Sequence, residues 1–83
     1  MNILLTPHSS MVFQLGYDAD AQALYVVYNT GVCWRYDVVP PEIWDCLRGT
    51  DSIGRVMTTM VKPVYQGRSV DTPKEMLDAR KKA

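Results

Sequence analysis

The chain is expected to fold as an α+β domain: a three-stranded antiparallel meander packed by two short helices, with a C-terminal helical tail. Three observations predict this. Residues 11–17 alternate with period two, placing Met11, Phe13, Leu15 and Tyr17 on one face and Val12 and Gln14 on the other. The segment LYVVYNTGVCWRYDVVPPEIW, Leu24 to Trp44, reads as two strands around a tight turn followed by a proline step into a helix. Ile53, Val56, Met57 and Met60 then recur at i, i+3, i+4 and i+7, the spacing of one helix face.

The elements follow in order. Residues 1–8 read as an N-terminal arm, in which Ile3-Leu4-Leu5 leads into Thr6-Pro7-His8 and Pro7 restricts the backbone. Ser9 and Ser10 suit backbone hydrogen bonding where the first strand begins. Asp18-Ala19-Asp20 is turn material, because an Asp carboxylate can accept from the backbone two residues on. Ala23–Tyr28, β-branched and aromatic, is the second strand, with Leu24, Val26 and Tyr28 on the inward face. Asn29-Thr30-Gly31 forms the hairpin loop, where Gly31 can take a positive φ. In the third strand, Val32–Val38, the residues Val32, Trp34, Tyr36 and Val38 face the core, and Cys33, Arg35 and Asp37 face out.

Pro40 and Pro41 end that strand, since neither can donate to a ladder, and Pro41 suits a first helical position. Ile43, Trp44 and Leu47 make the apolar stripe of the first helix, with Gly49 as its C-cap. Asp51 or Ser52 caps the second helix, which Pro63 stops. Val64–Val70 reads either as a short edge strand or as an extended segment carrying Tyr65. Thr72-Pro73-Lys74-Glu75 reads as a capping box opening a last helix. Its sparse stripe of Met76, Leu77, Ala79 and Ala83 suggests a loosely docked tail.

Bulk properties narrow the function. The 83 residues suffice for one small domain, and 47% hydrophobic residues is too many for a disordered chain. No apolar run approaches the roughly 20 residues that cross a bilayer. MNILL lacks a positive leader region, so no signal peptide is expected and the expected compartment is the cytoplasm. Cys33 and Cys46 read as two reduced packing cysteines, and with His8 they fall short of the about four ligands of a zinc site. No metal and no cofactor are expected. Net charge is zero but unevenly spread: residues 1–51 carry two arginines against six carboxylates, net −4, and residues 52–83 carry seven cations against three carboxylates, net +4. Such asymmetry can mark a binding surface, although Arg80-Lys81-Lys82 also suits a solvated helix C-terminus.

No catalytic constellation is visible. The single His8 lies beside Ser9 and Ser10 on an extended chain, where neighbouring side chains point apart. The five glycines fit no phosphate-binding loop, and the acidic pairs Asp18/Asp20 and Glu42/Asp45 have turn and helix-dipole roles. Binding is the remaining class. On the outer sheet face Tyr25 stands near Arg35, the aromatic–cation pairing of single-strand binders, and Arg55, Lys62, Tyr65 and Arg68 can join it.

Ser9-Ser10, Gly16-Tyr17-Asp18, Leu24-Tyr25-Val26, Gly31 with Trp34 and Tyr36, Val39-Pro40, Trp44, Leu47, Ser52 and Gly54 together resemble the KTSC domain over residues 9–65. That small domain is named for its place at the C-terminus of some lysyl-tRNA synthetases, and it also occurs as short stand-alone proteins in bacteria and phages. The resemblance implies a small α+β fold and a role in nucleic-acid binding, with RNA as the ligand. It divides the chain into an arm over 1–8, a KTSC-like domain over 9–70 and a helical tail over 71–83. The chain departs from the family pattern after Gly54, where Val56, Met57 and Thr58 replace the usual aromatic-Asn pair and Pro63 interrupts the stretch before Tyr65.

The expected function is a small non-enzymatic binding module associated with RNA or with the transcription and translation machinery. Its partner-binding residues are Tyr25, Arg35, Arg55, Lys62, Tyr65, Arg68, Arg80, Lys81 and Lys82. The alternative is a regulator of the phage-encoded type that binds a large host protein such as RNA polymerase through residues 71–83.

Overall fold

The computed structural model describes residues 1–6 and 8–82; the expected roles of Pro7 and Ala83 lie outside these residues. Five strands form one antiparallel sheet in sequence order: β1 (Asn2–Leu5), β2 (Val12–Asp18), β3 (Ala23–Tyr28), β4 (Cys33–Tyr36) and β5 (Gly67–Val70). Between β4 and β5 run α1 (Pro41–Gly49), α2 (Ile53–Val56) and a π-helical turn (Met57–Val61); α3 (Lys74–Lys81) follows β5. The three expected strands are therefore the middle of a five-stranded sheet. Where an arm is expected, Asn2–Leu5 pairs with β2, Leu4 opposite Leu15. Of the two readings of residues 64–70, the edge strand holds over Gly67–Val70, which pairs with β4.

Local signals work as expected at several points. Gly31 takes φ +92°, and the Tyr28 N–H donates to Val32 O at 3.0 Å to close the hairpin. The Ser9 hydroxyl accepts from the N–H groups of Met11 and Val12 at 3.2 and 3.0 Å. The Asp18 carboxylate accepts from the Asp20 N–H at 3.1 Å. Pro41 occupies the first turn of α1.

Other expectations need correction. Phe13 lies at a β-bulge, so Val12 pairs with Tyr28 and Gln14 with Val27. The extra residue turns Val12 into the core and Phe13 out to solvent, the reverse of their assignment by simple alternation. β4 ends at Tyr36, and Val38 turns away with φ 56° and 72% exposure instead of continuing the inward face. The chain re-enters the core at Val39, whose N–H donates to Gln22 O at 2.9 Å. Thr50, with extended backbone, caps the C-terminus of α1 where Gly49 was expected, and neither Ser52 nor Pro73 makes a side-chain cap bond. Cys33 is buried but Cys46 is exposed, so only the first is a packing cysteine.

The inner sheet face packs on the helices. Leu15, Tyr17, Leu24 and Val26 meet Ile43, Trp44 and Leu47 of α1 and Met57 and Val61 of the π-turn. Each fully buried aliphatic side chain contributes about 1.5–3 kcal/mol. Tyr17 stacks on Trp44, centroids 5.7 Å apart, and its hydroxyl donates to Val39 O at 2.6 Å. The π-turn moves the helical stripe by one position: Val61 is buried where the regular period expects Met60, which is exposed. Thr58 and Thr59 favour this distortion, their hydroxyls donating to Gly54 O and Arg55 O at 3.0 and 2.7 Å.

The outer face is covered in part by α3. Met76 is fully buried against Val27 and Cys33, with Ile3, Tyr25 and Val70 around them. The Gln14 amide donates to Met76 O at 2.7 Å and its oxygen accepts from Arg80 Nε at 2.8 Å. The tail expected to dock loosely thus contributes a core of its own. Gly16 makes room for it, since a Cβ there would lie 2.8 Å from Met76 Sδ.

Candidate functional site

The structure separates the expected site residues into four places. Tyr25, Arg35 and Arg68 lie on the outer face with Asp37 between them. Arg35 donates to Asp37 Oδ1 at 2.8 Å and to the Tyr25 hydroxyl at 3.0 Å, with its guanidinium 5.6 Å from the Tyr25 ring centroid. Arg68 donates to Asp37 Oδ2 at 2.8 Å. Hydrogen bonding from Arg35, helped by Arg68, holds the Asp37 carboxyl below the usual carboxylate range, and the same bond raises Arg35. Tyr25 and Arg35 therefore share a local network with Asp37. On α3, Arg80 lies 5.0 Å over the Phe13 ring and serves the docking of that helix, while Lys81 and Lys82 are exposed beyond it. Arg55 is exposed on α2.

Lys62 and Tyr65 belong to the fourth place. The inner face of the sheet is longer than its helical cover, and the hairpin end of β3 and β4 stays open. A groove of about 790 Å3 forms there, walled by Met11, Tyr28, Trp34, Tyr36, Tyr65 and Lys62. Its volume falls within the usual ligand-cleft range of roughly 300–1,000 Å3. Ser10, Asn29 and Thr30 supply polar groups at one end.

Each wall has a local cause. Trp34 pairs with Val26 and Tyr36 with Leu24, so period two points both rings inward. Past the reach of the helices, Trp34 is 36% exposed, against 5% for Trp44 in the core. The Trp34 and Tyr36 rings lie 6.5 Å apart at 27°. Tyr36 is fixed from two sides. Its hydroxyl shares a 2.8 Å hydrogen bond with that of Tyr28, and its ring crosses Gly67 so closely that a Cβ there would lie 2.6 Å from Cε1. The Lys62 N–H reaches Met57 O at 2.8 Å across the π-turn, and the Lys62 ammonium sits 5.1 Å from the Tyr28 ring centroid.

Electrostatically, the groove differs from the outer face. Lys62 is the one charged residue lining it among the described residues, with no carboxylate beside it. Burial and the bond to Tyr36 push the Tyr28 phenol well above its ordinary value, so it stays neutral. Flat apolar rings beside an unneutralised cation suit a planar, anionic ligand.

Lys62 and Tyr65 are expected from the sequence; Tyr28, Trp34 and Tyr36 read as core, which holds for buried Tyr36 but not for half-buried Tyr28 or exposed Trp34. Alternation gives the face of a strand and not the extent of cover above it. A usable signal is the density of large rings, three inward aromatics within residues 28–36, of which Tyr36 alone is buried.

The groove residues fall within the part of the chain that known proteins share. A family model described as the KTSC domain matches residues 8–65. An uncharacterized protein of Stutzerimonas stutzeri is 42% identical over 57 residues, which are 69% of this chain and 80% of that one. A protein of Tsukamurella paurometabola is 36% identical over 58 residues, 70% of this chain and 87% of that one. Among solved structures, the crystal structure of a KTSC domain protein from Yersinia pestis superposes with a TM-score of 0.75 at 22% identity, covering 84% of this chain and all of that one. At that identity the likeness concerns the fold. The family match spans more than half of the sequence and the two relatives agree with it in extent, so the chain belongs to the KTSC domain family.

Proposed function

We propose that this protein is a non-enzymatic, cytoplasmic binding module for single-stranded RNA and that the aromatic groove holds the bases. The observation that carries the reading is the half-open groove of Tyr28, Trp34, Tyr36 and Tyr65 with Lys62 as its unneutralised cation. An unpaired base stacks on Trp34, a contact that contributes about 1–3 kcal/mol per base, while Lys62 meets the neighbouring phosphate. Asn29, Thr30 and Ser10 offer hydrogen bonds to base edges or to a 2′-hydroxyl.

The alternative, a phage-type regulator gripping a protein such as RNA polymerase by residues 71–83, draws on exposed Leu77 and Lys81. It is the weaker reading, because Met76 of that segment is already occupied by the outer face.

The two tryptophans supply the test. Titration with oligouridylate at low salt should quench the emission of exposed Trp34 and leave buried Trp44 unaffected. Trp34→Phe should abolish the quenching. Lys62→Ala should weaken binding, with a salt slope reduced by about 0.7 for the lost phosphate contact. Absence of quenching by any single-stranded RNA, or tighter binding of oligodeoxythymidylate than of oligouridylate, overturns the assignment.

A further inference from the structure

The groove is not closed at its Tyr65 end. Tyr65 and Gly67 also line a second crevice of about 590 Å3, whose other walls include Val38, Val64, Asp37 and Arg68. Tyr65 thus forms a ridge between the two spaces, with Lys62 on one side and Arg68 on the other. Val38 and Val64, 72% and 65% exposed, give the second space apolar flanks. Its carboxylate is already engaged, since Asp37 accepts from Arg35 and Arg68, each at 2.8 Å, and the trio keeps one net positive charge. The Arg68 side chain, 60% exposed, retains donors free to turn toward a ligand.

Single-stranded nucleic acid alternates a flat apolar base with a charged phosphate. The two spaces offer the same kinds of group: the rings of Trp34 and Tyr28 with Lys62 in the first, and, round the edge strand β5 beyond the shared Tyr65, Arg68 on the outer face. Resting on the reading of the groove as an RNA site, we propose that the site is an oligonucleotide track that crosses Tyr65, so that a second phosphate is held by Arg68 and a short RNA segment binds rather than a single nucleotide. Asp37 keeps Arg68 in place and competes with the phosphate for it, which makes the second contact weaker than the one at Lys62.

Oligouridylates of one to six nucleotides, titrated at about 50 mM salt with Trp34 emission as readout, test the track. Affinity should rise from the dinucleotide to about the tetranucleotide and then level. Arg68→Ala should lower tetranucleotide affinity roughly five- to tenfold and the salt slope by about 0.7. It should leave dinucleotide binding unchanged, whereas Lys62→Ala weakens every length. Asp37→Asn, which removes the competing carboxylate, should raise tetranucleotide affinity; a purely structural network would lower it. Equal affinity for two and six nucleotides, an Arg68→Ala loss shared by all lengths, or a tetranucleotide loss in Asp37→Asn overturns the track and leaves the groove standing. Failure of the unaltered protein to bind any length removes the groove reading first and the track with it.

Discussion

The outer sheet face and the open end of the inner face are built from similar parts, an aromatic ring beside a cation, yet they differ in what they leave unsatisfied. On the outer face Arg35 lies against Tyr25 but also donates to Asp37, and Arg68 takes the second oxygen of the same carboxylate. Nearby, α3 covers Val27 and Cys33 with Met76. In the groove, Lys62 lies against Tyr28 with no carboxylate among the lining residues, and Trp34 is exposed and Tyr65 half-buried. A cation beside a ring is therefore a poor guide to a site until its counter-charge and its cover are known. The outer pairing is engaged by a carboxylate, whereas the groove leaves Trp34 exposed and Lys62 without a carboxylate among the lining residues.

That contrast can be broken most severely at Met76. Met76→Ala removes a fully buried side chain and should cost about 2–5 kcal/mol, seen as a large fall in Tm by circular dichroism. Quenching of Trp34 by oligouridylate at low temperature should persist, because the groove lies on the opposite face. Loss of quenching in a folded variant would show that the two faces are coupled. Gly67→Ala probes the other side of the comparison. A Cβ 2.6 Å from the Tyr36 ring must displace it, costing about 1–3 kcal/mol and weakening ligand binding by more than the fall in stability explains.

The Tyr28–Tyr36 hydroxyl pair comes next. Tyr28→Phe should cost about 1 kcal/mol near neutral pH. Alkaline unfolding sharpens the point. Burial raises the phenols of Tyr28 and Tyr17 above their ordinary value of 10.0. The unfolded chain then binds fewer protons than the native one above that value, so the stability is complete below about pH 10 and is lost as pH rises past it. A Tm series from pH 8 to 12 should fall less steeply in Tyr28→Phe, with Tyr17 and the buried Cys33 thiol, also raised by burial, contributing to the remaining slope. The smallest effect is expected at Val38, a β-branched residue at φ 56° with an exposed side chain. Val38→Gly should relieve strain and raise stability by up to about 1 kcal/mol, measured as a higher Tm with Trp34 quenching by a dinucleotide unchanged.

Much of the architecture was legible because its causes are local. The hairpin at Asn29–Gly31 follows from the freedom of glycine, the start of α1 at Pro41 from a missing N–H, and the strand faces of β3 and β4 from period two. The outer strands were harder. Asn2–Leu5 and Gly67–Val70 are four residues each, too short to show alternation, and they become strands only by pairing with β2 and β4. The bulge at Phe13 and the π-turn at Met57–Val61 each insert one residue into a regular period, so that Val12 and Phe13 exchange faces and Val61 replaces Met60 in the buried stripe. Of the groove, Lys62 and Tyr65 were visible as a cation and a ring in a basic stretch, whereas Tyr28, Trp34 and Tyr36 were hidden among core residues.

The class of fold, the order of the central strands and helices, and the family are readable from the chain alone, because periodicity, turn chemistry and residue order are written along it. It takes the assembled fold to make the tail a packed layer, to hold Arg35 between Tyr25 and Asp37, and to leave Trp34 at the open end of the sheet while Trp44 of α1 is buried. The reason is physical: a strand's pattern states which way a side chain points, but its burial depends on how far the covering helices reach, and its charge depends on partners brought close only by the fold.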